Sequence, residues 1–322
     1  MLEEEYEKSR RRPPAHLRRA PEPERPFSFE ITLYGYTRQT YERLTGIPGS
    51  HERCMRGIRL LLDRGLPLSL KTVAVSTNVH EIDDMRRFAE EDLGVEFKFD
   101  SDINPRIDCS QSPLAVRLTP EEAVALDLEH PKRGEEWVRF AHQVEGEELP
   151  PVDEVYQCGG GVQTFAIDPY GRLSICVLSE AHKYDLRSGT FIDGWNGFVL
   201  NQRLKKISRP TKCTGCAMKA MCGMCPANGE LENGDPEAPV DYLCQVAHLR
   251  SMTLGIPVTA HGDCAYCEGG SGHAALAASA ARLRENRDAF VQHRPAAERD
   301  GKLFLHVVNG AASSGCGSCG SR

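Results

Sequence analysis

The stretch KCTGCAMKAMCGMCPA, residues 212–227, sets Cys213, Cys216, Cys222 and Cys225 in two C-x-x-C pairs with five residues between them. Thiols this close either oxidise to disulfides or bind a metal as thiolates. The N-terminus lacks the apolar core of a secretory signal, so a cytoplasmic, reducing setting is expected, where clustered pairs read as metal ligands. Eleven of the thirteen cysteines lie between residues 158 and 319. Cys158, Cys176 and Cys244 join the four above to give seven thiols, one short of two four-cysteine sites. The metal is zinc or an iron–sulfur cluster. Two C-x-x-C pairs satisfy a four-thiolate zinc site. Five intervening residues are short for a zinc ribbon, however, whereas compact loops can wrap the larger body of a cubane cluster.

The other candidates are weaker. Cys54, in HERCMRGIRLLL, falls on a helical pattern and reads as a small buried hydrophobe, and Cys109, in the polar RIDCSQS, is also taken as structural. Cys264 and Cys267, in GDCAYCEGG, either add ligands to an incomplete cluster, form a separate redox pair, or sit flexible and exposed. Cys316 and Cys319 lie in the small-residue tail SSGCGSCGSR, expected to be mobile. His248, His261 and His306 show no paired metal spacing and are assigned ordinary roles.

The elements that must position these thiols follow from periodicity. Residues 1–26 mix charge and proline without apolar rhythm and are expected to be disordered. FSFEITLYG, LPLSLKTVAVSTN and VEFKFDSDINP read as strands, with helices between them over RQTYERLTGIPGSHERCMRGIRLLLDRG and EIDDMRRFAEEDLG. Asn78 and Glu81 predict a capping box for the second helix, and Thr119, Pro120 and Glu122 predict one for a later helix. Strands alternating with helices imply parallel βα units. Residues 133–157 read as a polar connection. DPYG, between TFAI and RLSI, predicts a hairpin bracketed by Cys158 and Cys176. An alanine-rich helix is expected within GHAALAASAARLRENRDAFVQH.

Composition is that of an ordinary globular protein: 322 residues, 40% hydrophobic, 26% charged, net charge −7. The acidity argues against nucleic-acid binding, which needs a basic face, and no apolar run approaches the roughly 18 residues that span a bilayer.

CGGGVQTFAIDPYGRLSIC, then CTGCAMKAMCGMCPA, then Cys244 together resemble the SPASM domain, the C-terminal extension of radical S-adenosylmethionine (SAM) enzymes that modify peptides and proteins. Order and nearly all spacings match. One differs: two residues separate Cys222 from Cys225, where the family pattern has three. Upstream, residues 27–78 resemble the middle of the radical SAM barrel, around its fourth and fifth strands. The C-x-x-x-C-x-x-C motif that holds the family's catalytic cluster is absent from the sequence.

The resemblance implies an α/β fold: an incomplete radical SAM partial (β/α) barrel over 27–150, a small cysteine-rich SPASM domain with a hairpin over 151–250, and a helix and tail over 251–322. It implies two auxiliary [4Fe-4S] clusters. One would be held by Cys213, Cys216, Cys222 and Cys244, the other by Cys158, Cys176 and Cys225 with one iron left to a further ligand. It places Thr32 and Arg43 nearest to the family's SAM contacts. A plain strand residue and a solvated helix face are the competing roles, which an incomplete barrel favours. The expected function is the cluster-binding portion of a peptide- or protein-modifying enzyme, inactive alone, with a peptide or protein substrate; the missing strands are either lost by truncation or frame disruption, or carried by a separate chain. The alternative is a non-enzymatic iron–sulfur or zinc protein that carries electrons or binds peptide for a radical SAM subunit. No catalytic residue is assigned.

Overall fold

The computed structural model describes residues 28–129, 131–144, 153–179, 182–214, 216, 218, 221–258, 260–261 and 263–291. The leader expected over 1–26, His306, and the Cys316/Cys319 tail lie outside the described residues.

The three alternating segments form strands β1 (Phe29–Thr32), β2 (Leu68–Val73) and β3 (Glu96–Asp100), which pair in parallel in the order β1-β2-β3. Leu70 is the centre of the register, opposite Ile31 on one side and Phe97 on the other. Among the described residues no other strand joins this sheet, so it remains open at β1 and β3. Parallel sheets covered on both faces carry near-continuous apolar runs. Here the alternation is real: Leu70 and Thr72 are buried, while Lys71 and Lys98 stand on the opposite face with Glu30, whose carboxylate lies 2.7 Å from the Lys71 ammonium. That face is polar and needs no covering layer.

Helices α1 (Arg38–Thr45) and α2 (Ser50–Asp63) divide the first helical stretch where Gly46 takes a left-handed φ of 67°. Helix α3 (Ile82–Arg87) follows a short 3-10 turn. The capping box expected at its start does not form. The Asn78 side chain instead accepts from the Val75 N–H at 2.8 Å and donates to the Tyr34 and Val73 carbonyls at 3.1 and 3.0 Å. Glu81 turns away from its own helix to accept from the Tyr36 and Thr37 N–H groups and from the Thr37 and Thr40 hydroxyls, at 2.6–3.1 Å. Donors brought by the fold from the β1–α1 loop outcompete the local cap. At the start of α4 (Pro120–Glu129) the expected box does form: Thr119 and Glu122 exchange hydrogen bonds at 2.7 and 3.2 Å. Helix α5 (Pro131–Val144) occupies part of the stretch read as a polar connection. Trp137 and Ala141, one turn apart, pack against Met218 and Met221, and that spacing outweighs the charged composition.

Beyond it, the hairpin forms from β4 (Ala166–Ile167) and β5 (Arg172–Ser174), and β6 (Tyr184–Asp185) adds to β5. Gly171, at φ 77°, closes the turn, and the Asp168 carboxylate accepts from the Tyr170 and Arg172 N–H groups. Helices α6 (Phe191–Gly194) and α7 (Leu200–Arg203) flank a single wide turn, and Val199 between them shares a small core with Tyr156, Leu173 and Ile175. Helices α8 (Pro226–Asn233), α9 (Asp241–Leu254) and α10 (His273–Glu285) complete the described chain.

The main core joins Leu33, Ile58, Leu70, Met85 and Leu126 to Val246 and Leu249 of α9 and Leu276 and Leu283 of α10. It therefore draws on both sides of the boundaries expected at 150/151 and 250/251. The cause is α9, which packs between α4 and α10 and is buried at most of its positions.

Candidate metal centre

Each cysteine is set by a local device. A turn closed by the Thr214 N–H to the Thr211 carbonyl holds Cys213, and the Cys216 N–H bonds back to the Cys213 carbonyl at 3.3 Å. Cys225 takes the extended N-cap position of α8, and its carbonyl accepts the Asn228 and Gly229 N–H groups. Cys244 sits in the first turn of α9. Cys176 follows β5, and the Leu178 N–H points at its sulfur at 3.4 Å. The Gly160 N–H does the same for Cys158 at 3.4 Å, while the Arg203 guanidinium holds the Cys158 carbonyl at 2.9 Å.

These devices bring the thiols into two neighbourhoods. Cys222 lies within reach of the charge on Cys213 and Cys216, and Cys244 within reach of Cys222 and Cys213. Cys225 lies within reach of Cys176 and Cys158 instead. A cavity of about 310 Å³ is lined by six of the seven (Cys158, Cys213, Cys216, Cys222, Cys225 and Cys244) together with His248 and His261. Burial pushes the Cys222 thiol up to about 11 and the Cys244 thiol up to about 12, and raises Cys216 and Cys225 as well. Thiolates there need a cation to neutralise them, and loading a metal must release the protons they carry. The Lys212 ammonium lies beside Cys244 and 3.0 Å from Asp241.

One buried ion pair secures this loop to the rest of the fold. The Arg250 guanidinium of α9 pairs at 2.7 Å with Asp127 of α4, lies 4.0 Å over the Trp137 ring, and donates to the Met221 carbonyl at 2.9 Å. Met221 is the residue before Cys222, so the cysteine loop is held by a side chain that pairs with Asp127 of α4.

A third group was not read from the sequence. Cys264 and Cys267 are buried at 5% and 4% exposure, rather than flexible and exposed, and they face His248 and His261. The signal was present as H-x-x-C-x-x-C at His261, Cys264 and Cys267. The fourth member, His248, was hidden because it lies on α9 thirteen positions upstream of His261. The loop is tight: a Cβ on Gly270 would stand 2.4 Å from the Ala265 carbonyl oxygen and 2.6 Å from that of Cys264. Gly270→Ala is therefore expected to open the Cys264–Cys267 loop, read as faster amide hydrogen exchange across it. Gly197→Ala, with nothing within 4 Å of the added carbon, should leave that exchange unchanged.

Thr32 and Arg43 are placed elsewhere. Thr32 ends β1, half-buried opposite Lys71, and Arg43 lies half-buried in the last turn of α1; neither lines the cysteine cavity. The Tyr36 and Thr37 N–H groups of the β1–α1 loop bond to Glu81.

The chain matches no family model, no curated protein and no solved structure. Among the described residues, no helix is long and apolar enough to cross a membrane.

Proposed function

We propose that this chain binds two iron–sulfur clusters of the auxiliary type, as the SPASM-bearing portion of a radical SAM system that modifies a peptide or protein. The observation that carries the reading is the cavity lined by six of the seven thiols, Cys158, Cys213, Cys216, Cys222, Cys225 and Cys244, with Cys176 within reach of Cys225. Their spread favours a cluster over a single ion. Tetrahedral zinc draws four thiolates to within about 3.8 Å of one another, given Zn–S bonds of about 2.3 Å. No three of these seven sulfurs lie mutually within 4.8 Å.

When bound, such clusters would supply one-electron transfer. The chain's own residues would hold them, shield them from solvent through Met218, Met221 and Ala247, and steady the thiolates with backbone N–H groups at Cys158 and Cys176. Cleavage of S-adenosylmethionine would need the C-x-x-x-C-x-x-C motif, which these 322 residues lack. A free-standing electron carrier would use the same ligands, and radical chemistry restored by adding a chain with that motif separates the two roles.

Anaerobic reconstitution of the full chain with iron and sulfide should give about eight irons per chain at full loading, with brown charge-transfer absorption. Stoichiometric zinc with negligible iron, in protein made under iron-replete anaerobic conditions, would overturn the reading.

A further inference from the structure

Two histidines and two cysteines outside the seven thiols stand together. From the geometry we infer that His248, His261, Cys264 and Cys267 form a closed, four-coordinate zinc site of the Cys2His2 type. One ligand atom from each lies within 4.8 Å of all the others, and among the described residues no other group of three or more such side chains meets that limit. Bonds of about 2.3 Å to sulfur and about 2.0 Å to nitrogen place adjacent ligand atoms of tetrahedral zinc about 3.5 Å apart. The His248 Nε2 lies 3.5 Å from the sulfurs of both Cys264 and Cys267, and the His261 Nδ1 lies 3.5 Å from Cys267.

The tautomers agree with this assignment. His248 Nδ1–H donates to the Cys244 carbonyl one turn back on α9 at 2.7 Å, so Nε2 presents its lone pair to the two thiols. Metal at His261 Nδ1 leaves the proton on Nε2, which lies 3.1 Å from the Cys216 sulfur and donates to it. Each histidine thus spends its second nitrogen on a group belonging to Cys216 or Cys244. Burial suits a structural site: three of the four ligands are buried and His261 is partly so. Two thiolates and two neutral imidazoles leave no coordination position open, so the ion staples α9 to the loop that leads into α10.

The inference stands apart from the iron–sulfur reading, since the two sites share no ligand. The test uses the full chain purified anaerobically with iron and zinc both supplied, and zinc K-edge absorption, which does not see iron. Two sulfurs at about 2.3 Å and two nitrogens at about 2.0 Å are expected. An all-sulfur shell would place the zinc among the seven cysteines and overturn the assignment. The Cys264→Ser/Cys267→Ser double variant should lose one zinc per chain and keep its iron. A loss of iron with zinc retained would instead make the pair cluster ligands. A Cys264–Cys267 disulfide in the anaerobic protein, seen as a mass two hydrogens lighter, would make it a redox pair. Should the variant precipitate, the wild-type zinc shell decides alone.

Discussion

Asp127→Ala is expected to destabilise the protein by about 3–5 kcal/mol, the cost of stranding one member of a buried ion pair. Asp127 is fully buried and accepts from Arg250 and Arg133, each at 2.7 Å. Arg250 is itself 4% exposed, so without the carboxylate its charge stays in the interior, held by the Met221 carbonyl and the Trp137 ring, with Asp102 as the remaining carboxylate in reach. Urea denaturation monitored by circular dichroism measures the loss. The double variant Asp127→Leu/Arg250→Leu should recover much of it, because removing both charges avoids the stranded one. Iron loading should not recover in parallel, since the double variant still lacks the bond that fixes the carbonyl before Cys222. Stability and loading recovering together would show that the pair serves packing alone.

Glu81→Ala is expected to cost about 2–4 kcal/mol, from hydrogen bonds to a charged acceptor worth about 1.5–3 kcal/mol each. The carboxylate is nearly buried and gathers four donors from Tyr36, Thr37 and Thr40. The figure is below their sum because Tyr36 and Thr37 lie at the surface and their N–H groups can turn to water. Thr40, at 7% exposure, cannot do so as readily. Glu81→Gln keeps the shape and one acceptor oxygen and should lie between the two. Thermal melts of the three proteins give the order. An Ala variant as stable as the parent would mean that the β1–α1 loop is held by the main core alone.

Some of this was legible from residue types, and the rest depends on encounters between distant segments. Strand alternation in FEIT and LSLKTV marked β1 and β2, because a period of two survives whatever the strand pairs with. Thr119–Glu122 was readable since the two partners are three residues apart and the local bonds form. Asn78 and Glu81 have the same local pattern, yet their side chains go to Tyr34, Tyr36 and Thr40, more than thirty positions upstream. Helix α5 was missed because its charges masked two apolar positions whose partners, Met218 and Met221, lie in the cysteine loop. In the candidate site, the thiol-rich segments announced themselves by spacing. His248 did not, because a lone histidine on a helix gains meaning only when a loop folds back to meet it.

Helix α9 has a consequence for supply. Its one side carries Cys244 and His248, and its other side carries Val246 and Leu249 into the core shared with the parallel sheet. Any ion that binds only the docked helix stabilises the docked core, and by reciprocity the core strengthens the hold on the ion. A substitution that touches no ligand, such as Ile58→Ala in α2, would then weaken metal retention from a distance. In a living cell, chains left without metal would then open more often and be degraded faster. Scarcity of metal would thus be registered as fewer copies of the protein, and the metallated fraction of those that survive would stay high.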